Sequence, residues 1–482
     1  MADRNAFTSA TTNGQRSPRC PGCQERDAII ARLEQENKGL KEQLRQERER
    51  HGANSRNSSL PPSQNPLRAP KPTARKKPSG RPRGGQPGHP PTAPGLLPQD
   101  QLTEPVIACV PKTCAHCQAA LSGHDAMPTM HQVIELPPIT PEVREYHRHT
   151  LTCTQCGGHT RGPLPAGVSE AGYGPRLHAL LALATGCYHL SKRQVEELLN
   201  TTFHIPISLG TICNIERRVS AALADPVAEI KVHFQRADVA HADETSWPQQ
   251  PDKGWLWVGV TAYLAIFSVR DKRDLESAKD LLGAGFAGVL VTDRYKSYHW
   301  VGRRQLCWAH LRRDWQALID RGGSSRRIGR RLLHLTDHMF HLWHRVRDGT
   351  LSRWMFRFHM IAIRNEVGAW LRQGARCAHP RTAGTCADIL DCETALWTFV
   401  TVEGVEPTNN AAERVLRQAV LWRKKSFGTR GPCGSCFVER ILSVVATCRL
   451  QGRNVLEYLT AACVAAANHE PAPSLLPPGQ QQ

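Results

Sequence analysis

Asp243 in VAHADETSW, Asp293 in GVLVTDRYKSY and Glu413 in EPTNNAAERVLR are acids whose settings suit phosphoryl transfer. Transfer at a phosphodiester needs an activated oxygen nucleophile and relief of charge on the leaving oxygen. Two Mg2+ (or Mn2+) ions about 3.5–4 Å apart can supply both. Such hard cations take oxygen ligands, so a protein offers carboxylates and leaves the remaining positions to water and phosphate. An Asp on a first strand can bridge both ions, while an Asp at the end of a neighbouring strand and a Glu on a later helix complete one ion each. Each acid also has a plainer reading. Asp243 adjoins Glu244 at a strand end, where acids often serve turns. Asp293 precedes Arg294 and could pair with it. Glu413 follows Asn410 by three residues, the spacing of a capping box. Basic residues accompany the set: Arg414, Arg417, Arg423, Lys424 and Lys425 closely follow Glu413 and are candidates for neutralising phosphates. Trp308, His310, Arg312 and Arg313 in CWAHLRRDW are a second group, read either as part of the active face or as core and solvated helix.

Three acids so far apart in the chain need a scaffold to gather them. ADVAHADE reads as a strand, WLWVGVTAYLAIFSV as two more, DLESAKDLLG as a helix and FAGVLVTD as a buried strand. This β–β–β–α–β order is that of an RNase H-like core, set in a multidomain α/β chain. The stretch near 304–400 is expected to be a helical insertion, and residues 301–380 hold sixteen arginines against five acids. The catalytic domain is expected over 236–465. After 466 the Pro/Gln-rich composition predicts a disordered tail to 482.

The segments before residue 236 have no acids of this kind. Ile30, Leu33, Asn37, Leu40 and Leu44 alternate spacings of three and four within a charged helix over 24–50. That is an a/d seam with a polar Asn at an a position, read as a dimerising zipper or as an amphipathic helix alone. Residues 51–104 form a Pro/Gly/Ser-rich linker with seven basic residues and no acid from Arg68 to Arg83. It suits either a phosphate-following arm or a solvated tether. Over 105–165, Cys114, Cys117, Cys153 and Cys156 form two CxxC pairs, the usual way to offer four thiolates to structural Zn2+. The 35 residues between the pairs include strand-like MHQVIELPP and VREYHRHTLT, an expected inserted hairpin. Cys20/Cys23 and Cys433/Cys436 read as non-ligands. Over 172–225, a helix from Ser191 and a second from Ser208 resemble a helix-turn-helix that would present Thr211, Asn214, Arg217 and Arg218 to DNA. An ordinary helical subdomain is the other reading.

Composition narrows the partner. A net charge of +19 and an isoelectric point near 9.5 favour a polyanion. No run of eighteen apolar residues exists, which argues against a membrane partner. The polar N-terminus has no apolar signal segment, so a bacterial cytoplasm, close to the nucleoid, is expected. The 17 cysteines then read as thiols or metal ligands rather than as a disulfide framework.

The chain resembles the large transposase of IS66-type insertion sequences. NSSLPPSQNP, GRPRGGQPGHP, the two CxxC pairs, YHLSKRQVEELL, SLGTICNIE, HADET, TDRYKSY, QLCWAHLRRDW, VEPTNNAAER, WRKKSFGT and ERILSVVATCRLQGRNVLEYL carry the resemblance from about residue 25 to 465. It implies a leucine zipper, a zinc-binding domain and a DDE catalytic domain of RNase H-like fold, with Asp243, Asp293 and Glu413 as its acids. It also implies terminal inverted repeats and target DNA as substrates, a homo-oligomer as the working form, and accessory proteins from the same element. A non-enzymatic DNA-binding regulator built on a transposase scaffold is the alternative.

Overall fold

The computed structural model describes residues 21–51, 53–58, 96–168, 170, 172–477 and 479. The chain divides into two units: Met1–Ala69, Leu164–Ser191 and Ile212–Gln482 in one, Pro70–Pro163 and Lys192–Thr211 in the other.

The larger unit is built on a five-stranded mixed sheet. Its strands are β3 (Val239–Ser246), β4 (Trp255–Val260), β5 (Ala265–Arg270), β6 (Val289–Thr292) and β7 (Arg304–Leu306), in the order β5-β4-β3-β6-β7. β3 is central. It runs antiparallel to β4, with Asp243 opposite Val258, and parallel to β6, with His241 opposite Val291. β4 pairs antiparallel with β5, and β6 parallel with β7. The apolar runs behave as buried strands because both faces are covered: Leu256, Trp257, Val258 and Val260 of β4 have no exposed surface. Helices α5 (Ala224–Gln235) and α6 (Leu275–Leu282) pack on β4 and β5. Phe234 of α5 lies so close over Gly259 that a Cβ there would sit 2.2 Å from its ring, so this strand position admits no side chain. Helix α6 starts at Asp274, whose carboxylate accepts the Ser277 N–H at 2.9 Å.

Helices α12 (Asn410–Ser426), α13 (Pro432–Leu450) and α14 (Val455–Ala467) close the unit, with α2 (Pro175–Gly186) against α14. α12 packs across β3 and β4, and α13 lies along β5. β5 is an edge strand, and α13 covers its free N–H row. Ala265, Phe267 and Val269 donate to Thr447 Oγ1, Ser443 Oγ and Glu439 Oε1 at 3.0, 2.9 and 2.5 Å. The acceptors are spaced by four on one helix face and the donors by two on one strand edge. The opposite rim, β7, is also covered: Thr398 Oγ1 donates to the Arg304 carbonyl at 2.6 Å, and the Phe399 N–H donates to Gln305 Oε1 at 2.8 Å.

Between β7 and α12 the chain is helical: α7 (Trp308–Arg321), α8 (Gly323–Arg347), α9 (Arg353–Ala375), α10 (Pro380–Leu390) and the short α11 (Thr398–Thr401). One buried cluster runs from Val289, Val291 and Leu306 of the sheet through Trp308 and Trp315 to Trp343, Phe356 and Phe399. Those last three rings meet with centroids 5.4–5.9 Å apart.

The second unit contains α3 (Lys192–Phe203), the start of α4 (Leu209–Ala222), and the antiparallel pair β1 (Thr150–Thr152) and β2 (His159–Arg161). Ser208 Oγ accepts the Thr211 N–H at 3.2 Å, as its position before α4 predicts.

Four expectations change. MHQVIELPP and VREYHRHTLT do not form a hairpin together. Only Thr150–Thr152 is a strand, and it pairs with β2 around the second CxxC turn. Val133, Ile134, Leu136 and Val143 are all more than 70 % exposed, so no buried face holds the rest of those segments extended in pairs. β7 replaces the expected start of the helical block, since three residues are too few to show a period. Helix α1 (Pro21–His51) extends past both expected ends of the seam. Part of the tail is ordered. Leu475 and Leu476 are buried, Gln451 donates to the Leu475 carbonyl at 2.7 Å and Tyr458 to the Pro473 carbonyl at 2.8 Å. The basic stretch 68–83 and Cys20 lie outside the described residues.

Candidate functional site: three carboxylates at one end of the sheet

Asp243 lies on β3, and Asp293 is the first residue after β6. Because His241 stands opposite Val291 in that parallel pair, continuing the register by two residues sets Asp293 beside Asp243 at the same sheet end. Glu413 is in the first turn of α12, which packs on β3. The Asp243 carboxyl feels the charges of the other two. Burial and then the charges of Glu244, Asp293 and Glu413 push the Asp243 carboxyl well above the usual range, although the Glu244 N–H donates to Asp243 Oδ1 at 2.9 Å. Asp293 Oδ1 accepts the Tyr295 N–H at 2.8 Å, and no ion pair joins Asp293 to Arg294, which instead bonds Asp314 at 2.8 Å.

Two residues outside the expected set hold these three elements in line. The Cys307 N–H donates to the Thr292 carbonyl at 2.8 Å, next to Asp293. Cys307 Sγ accepts the Asn409 N–H at 3.2 Å, at the start of α12. Asn409 Nδ2 donates to the Ala242 carbonyl at 2.8 Å, next to Asp243, and its Oδ1 faces His241 Nδ1 at 3.1 Å. Cys307 is 1 % exposed and Asn409 1 %, so these bonds are shielded from water. Their signal in the sequence was weak: a lone Cys and one of two adjacent Asn. Only the tertiary structure shows that each bridges two acid-bearing elements.

The capping-box reading of Glu413 is not realised. Asn409, the residue preceding α12, makes no side-chain cap, and Glu413 Oε1 is buried without a hydrogen-bond partner. It points toward His310 Nδ1, also buried and unpartnered, at 3.7 Å. Burial and then Arg313 hold His310 below its usual range, so the ring is neutral at pH 7. Glu244 faces elsewhere: Arg273 Nε and Tyr298 Oη donate to its carboxylate at 2.8 and 2.5 Å.

The basic candidates separate. Arg414, Arg417, Lys424 and Lys425 on α12 are exposed, as are Arg217 and Arg218 with Asn214 on α4. Arg312 pairs with Asp337 at 2.9 Å, and Arg313 is half-buried. Arg423 is tied to the end of β3, donating to Thr245 Oγ1 at 2.8 Å and Ser246 Oγ at 2.7 Å. Trp308 is core, its Nε1 donating to the Leu396 carbonyl at 2.8 Å.

The two CxxC pairs make matching turns. Cys114 N–H donates to Ala119 O and Gln118 N–H to Cys114 O at 2.8 and 3.0 Å. Cys153 N–H donates to Gly158 O and Gly157 N–H to Cys153 O at 2.8 and 2.9 Å. Backbone N–H groups of Cys117 and His116 hold the Cys114 thiol below the usual range, and those of Cys156 and Gln155 do the same for Cys153. Turns that favour thiolate fit a structural zinc ion. Cys433 and Cys436 lie in the first turns of α13.

Comparison with known proteins gives the family. A family model described as "Transposase IS66 family" matches residues 171–434, and one described as "zinc-finger binding domain of transposase IS66" matches 111–157. A family of unknown function matches 14–93. Two proteins of Sinorhizobium fredii (strain NBRC 101917 / NGR234) are similar. "Uncharacterized protein y4hP" is 24% identical over 421 residues, which is 77% of this chain and 74% of the relative. "Uncharacterized protein y4qI" is 24% identical over 281 residues, 52% of this chain and 51% of the relative.

Proposed function

The chain belongs to the IS66 transposase family, and from that premise we propose that it is a DDE transposase whose acids are Asp243, Asp293 and Glu413. The observation that carries this reading is that Asp243 is held up first by burial and then by the charges of Glu244, Asp293 and Glu413, with Glu413 Oε1 buried and unpartnered. A buried carboxyl under the charge of further acids, with a carboxylate oxygen of Glu413 left bare, fits a site that divalent cations complete. Asp243, Asp293 and Glu413 would hold Mg2+ (or Mn2+), which supplies two things: easier deprotonation of an attacking oxygen and neutralisation of the leaving one.

The chain's own residues do the rest. Cys307 and Asn409 fix the spacing of the acids before DNA arrives, the kind of pre-organisation on which phosphoryl transfer depends. Water attacks the phosphodiester at an element end and releases a 3′-OH. That hydroxyl then attacks a target phosphodiester, displacing a second 3′ oxygen, with no covalent bond to protein. Exposed Arg414, Arg417, Lys424 and Lys425 follow Glu413 on the same helix and would contact DNA phosphates. Arg312 and Arg313 on α7 would add further contacts to phosphate. Arg423 strengthens the site indirectly, by tying α12 to β3.

The strand order β5-β4-β3-β6-β7, with only β4 antiparallel to its neighbours, supports an RNase H-like core, and α7–α11 a helical insertion ahead of the Glu. Helix α4, with Arg217 and Arg218 exposed, would read the terminal repeats as the recognition helix of a helix-turn-helix. The seam Ile30, Leu33, Leu40 and Leu44, each more than 40 % exposed on α1, would join two copies as a coiled coil. Among the described residues no helix is long and apolar enough to cross a membrane, and we place the reaction on bacterial DNA in the cytoplasm.

The experiment is a strand-transfer assay with labelled element ends in Mg2+. Asp293→Ala should abolish cleavage while end binding stays intact. Full cleavage by that variant would sink the assignment.

A further inference from the structure

Beside the carboxylates lies a second donor set of different chemistry. Cys307 Sγ, a ring nitrogen of His310 and a carboxylate oxygen of Glu413 all lie within 4.8 Å of one another. Cys307 precedes α7 and His310 sits in its first turn, so a spacing of three brings both to one side of the helix. Glu413 reaches them from α12. Two of the donor atoms, His310 Nδ1 and Glu413 Oε1, are buried with no hydrogen-bond partner, and at 3.7 Å they are too far apart to satisfy each other. Folding rarely leaves two adjacent buried polar atoms bare unless something else binds them. Cys307 Sγ accepts the Asn409 N–H at 3.2 Å, while burial pushes its thiol up to about 11, so a cation bound there displaces the thiol proton.

We propose that Cys307, His310 and Glu413 form a binding site for a zinc-class divalent cation. Mg2+ takes oxygen donors, whereas thiolate, imidazole and carboxylate together are the set that borderline-soft cations select. The size fits. A point within about 3 Å of all three atoms exists, against zinc bonds of roughly 2.0–2.3 Å, and side-chain rotation closes the difference. The fourth position is left to water. Glu413 belongs to both donor sets, so a soft cation held by Cys307 and His310 draws that carboxylate away from Asp243 and Asp293. Zinc would therefore oppose Mg2+ at one shared ligand. That consequence rests on the transposase reading, whereas the cation site itself does not.

The test is titration of the full chain, carrying a single equivalent of zinc for the finger, with Co2+, which reports thiolate ligation through a sulfur-to-cobalt charge-transfer band. About one Co2+ per chain should bind with that band in addition to the finger site. The band should persist in a Cys114→Ser/Cys153→Ser variant, which excludes exchange into the finger. Cys307→Ser should remove it. Because Cys307 is buried and its replacement could disturb folding, His310→Ala and Glu413→Gln are the controls. Each should weaken Co2+ binding by at least roughly tenfold, the loss typical even of an outer partner of a metal ligand. No band beyond the finger, or a band undiminished in all three variants, overturns the proposal. The Asp293→Ala chain separates the two readings. It keeps all three donors and should bind Co2+ with the band even though it cannot cleave. Cleavage by the native chain without any Co2+ band would remove the soft-cation site and leave the transposase reading standing.

Discussion

Asn409 joins β3 to the start of α12, whereas Arg423 joins them near the far end of that helix, so the loss of Asn409 should separate alignment from charge. Asn409→Ala strands the buried Ala242 carbonyl and leaves His241 Nδ1 without its partner. Stability should fall by about 1–3 kcal/mol. Strand cleavage should drop on the order of a hundredfold, the cost of a small misplacement, while end binding is unchanged. Cleavage at the native rate would show that the acids are aligned by something else. Asp243 tests the opposite trade. Its carboxyl is held above the ordinary value of 3.8. Stability is therefore full while the group is protonated and is lost as pH rises past that value. At neutral pH without divalent metal, Asp243→Asn should raise the melting temperature, and the gain should shrink in acid and on adding Mg2+ to the native chain. A variant that melts lower than native at neutral pH would contradict this. At this scale the sequence was only partly legible. The three acids stand out because strand-like runs and a helix start frame them. Cys307 and Asn409 do not, since their work depends on contacts across 102 and 167 positions of chain.

Elements were easier to read than contacts. β3 to β6 and α6 show a clear period or an apolar run bounded by turns. β7 was missed because Arg304–Leu306 is too short and too polar to signal a strand; the neighbouring β6 and the cover from α11 make it one. The failed hairpin between the CxxC pairs is the converse, since alternation alone could not hold strands that have no face to bury. The cover on β5 gives a test at this scale. Ser443→Ala removes the acceptor of the buried Phe267 N–H and should cost about 1–3 kcal/mol with an unchanged denaturant slope. An unmoved midpoint in urea would mean that another group reaches that N–H.

For the molecule as a whole, the division into a sheet unit and a cysteine-bearing unit predicts separable failures. Replacing Cys114 and Cys153 with Ser should remove about one zinc per chain by metal analysis. The unfolding transition of the sheet unit should survive, because none of its buried residues comes from that region. Zinc retained in the double variant would redirect attention to the other cysteines. The last acid of the candidate site is residue 413, yet the sheet is finished only by the helix that begins at Pro432. A gene copy cut short between those points would still encode every carboxylate. It would also leave a row of bare amides along β5, open to the same edge in another copy. Such a remnant would be lost to aggregation rather than to faulty chemistry, so the face of α13 that carries Glu439, Ser443 and Thr447 serves to keep the catalyst in solution.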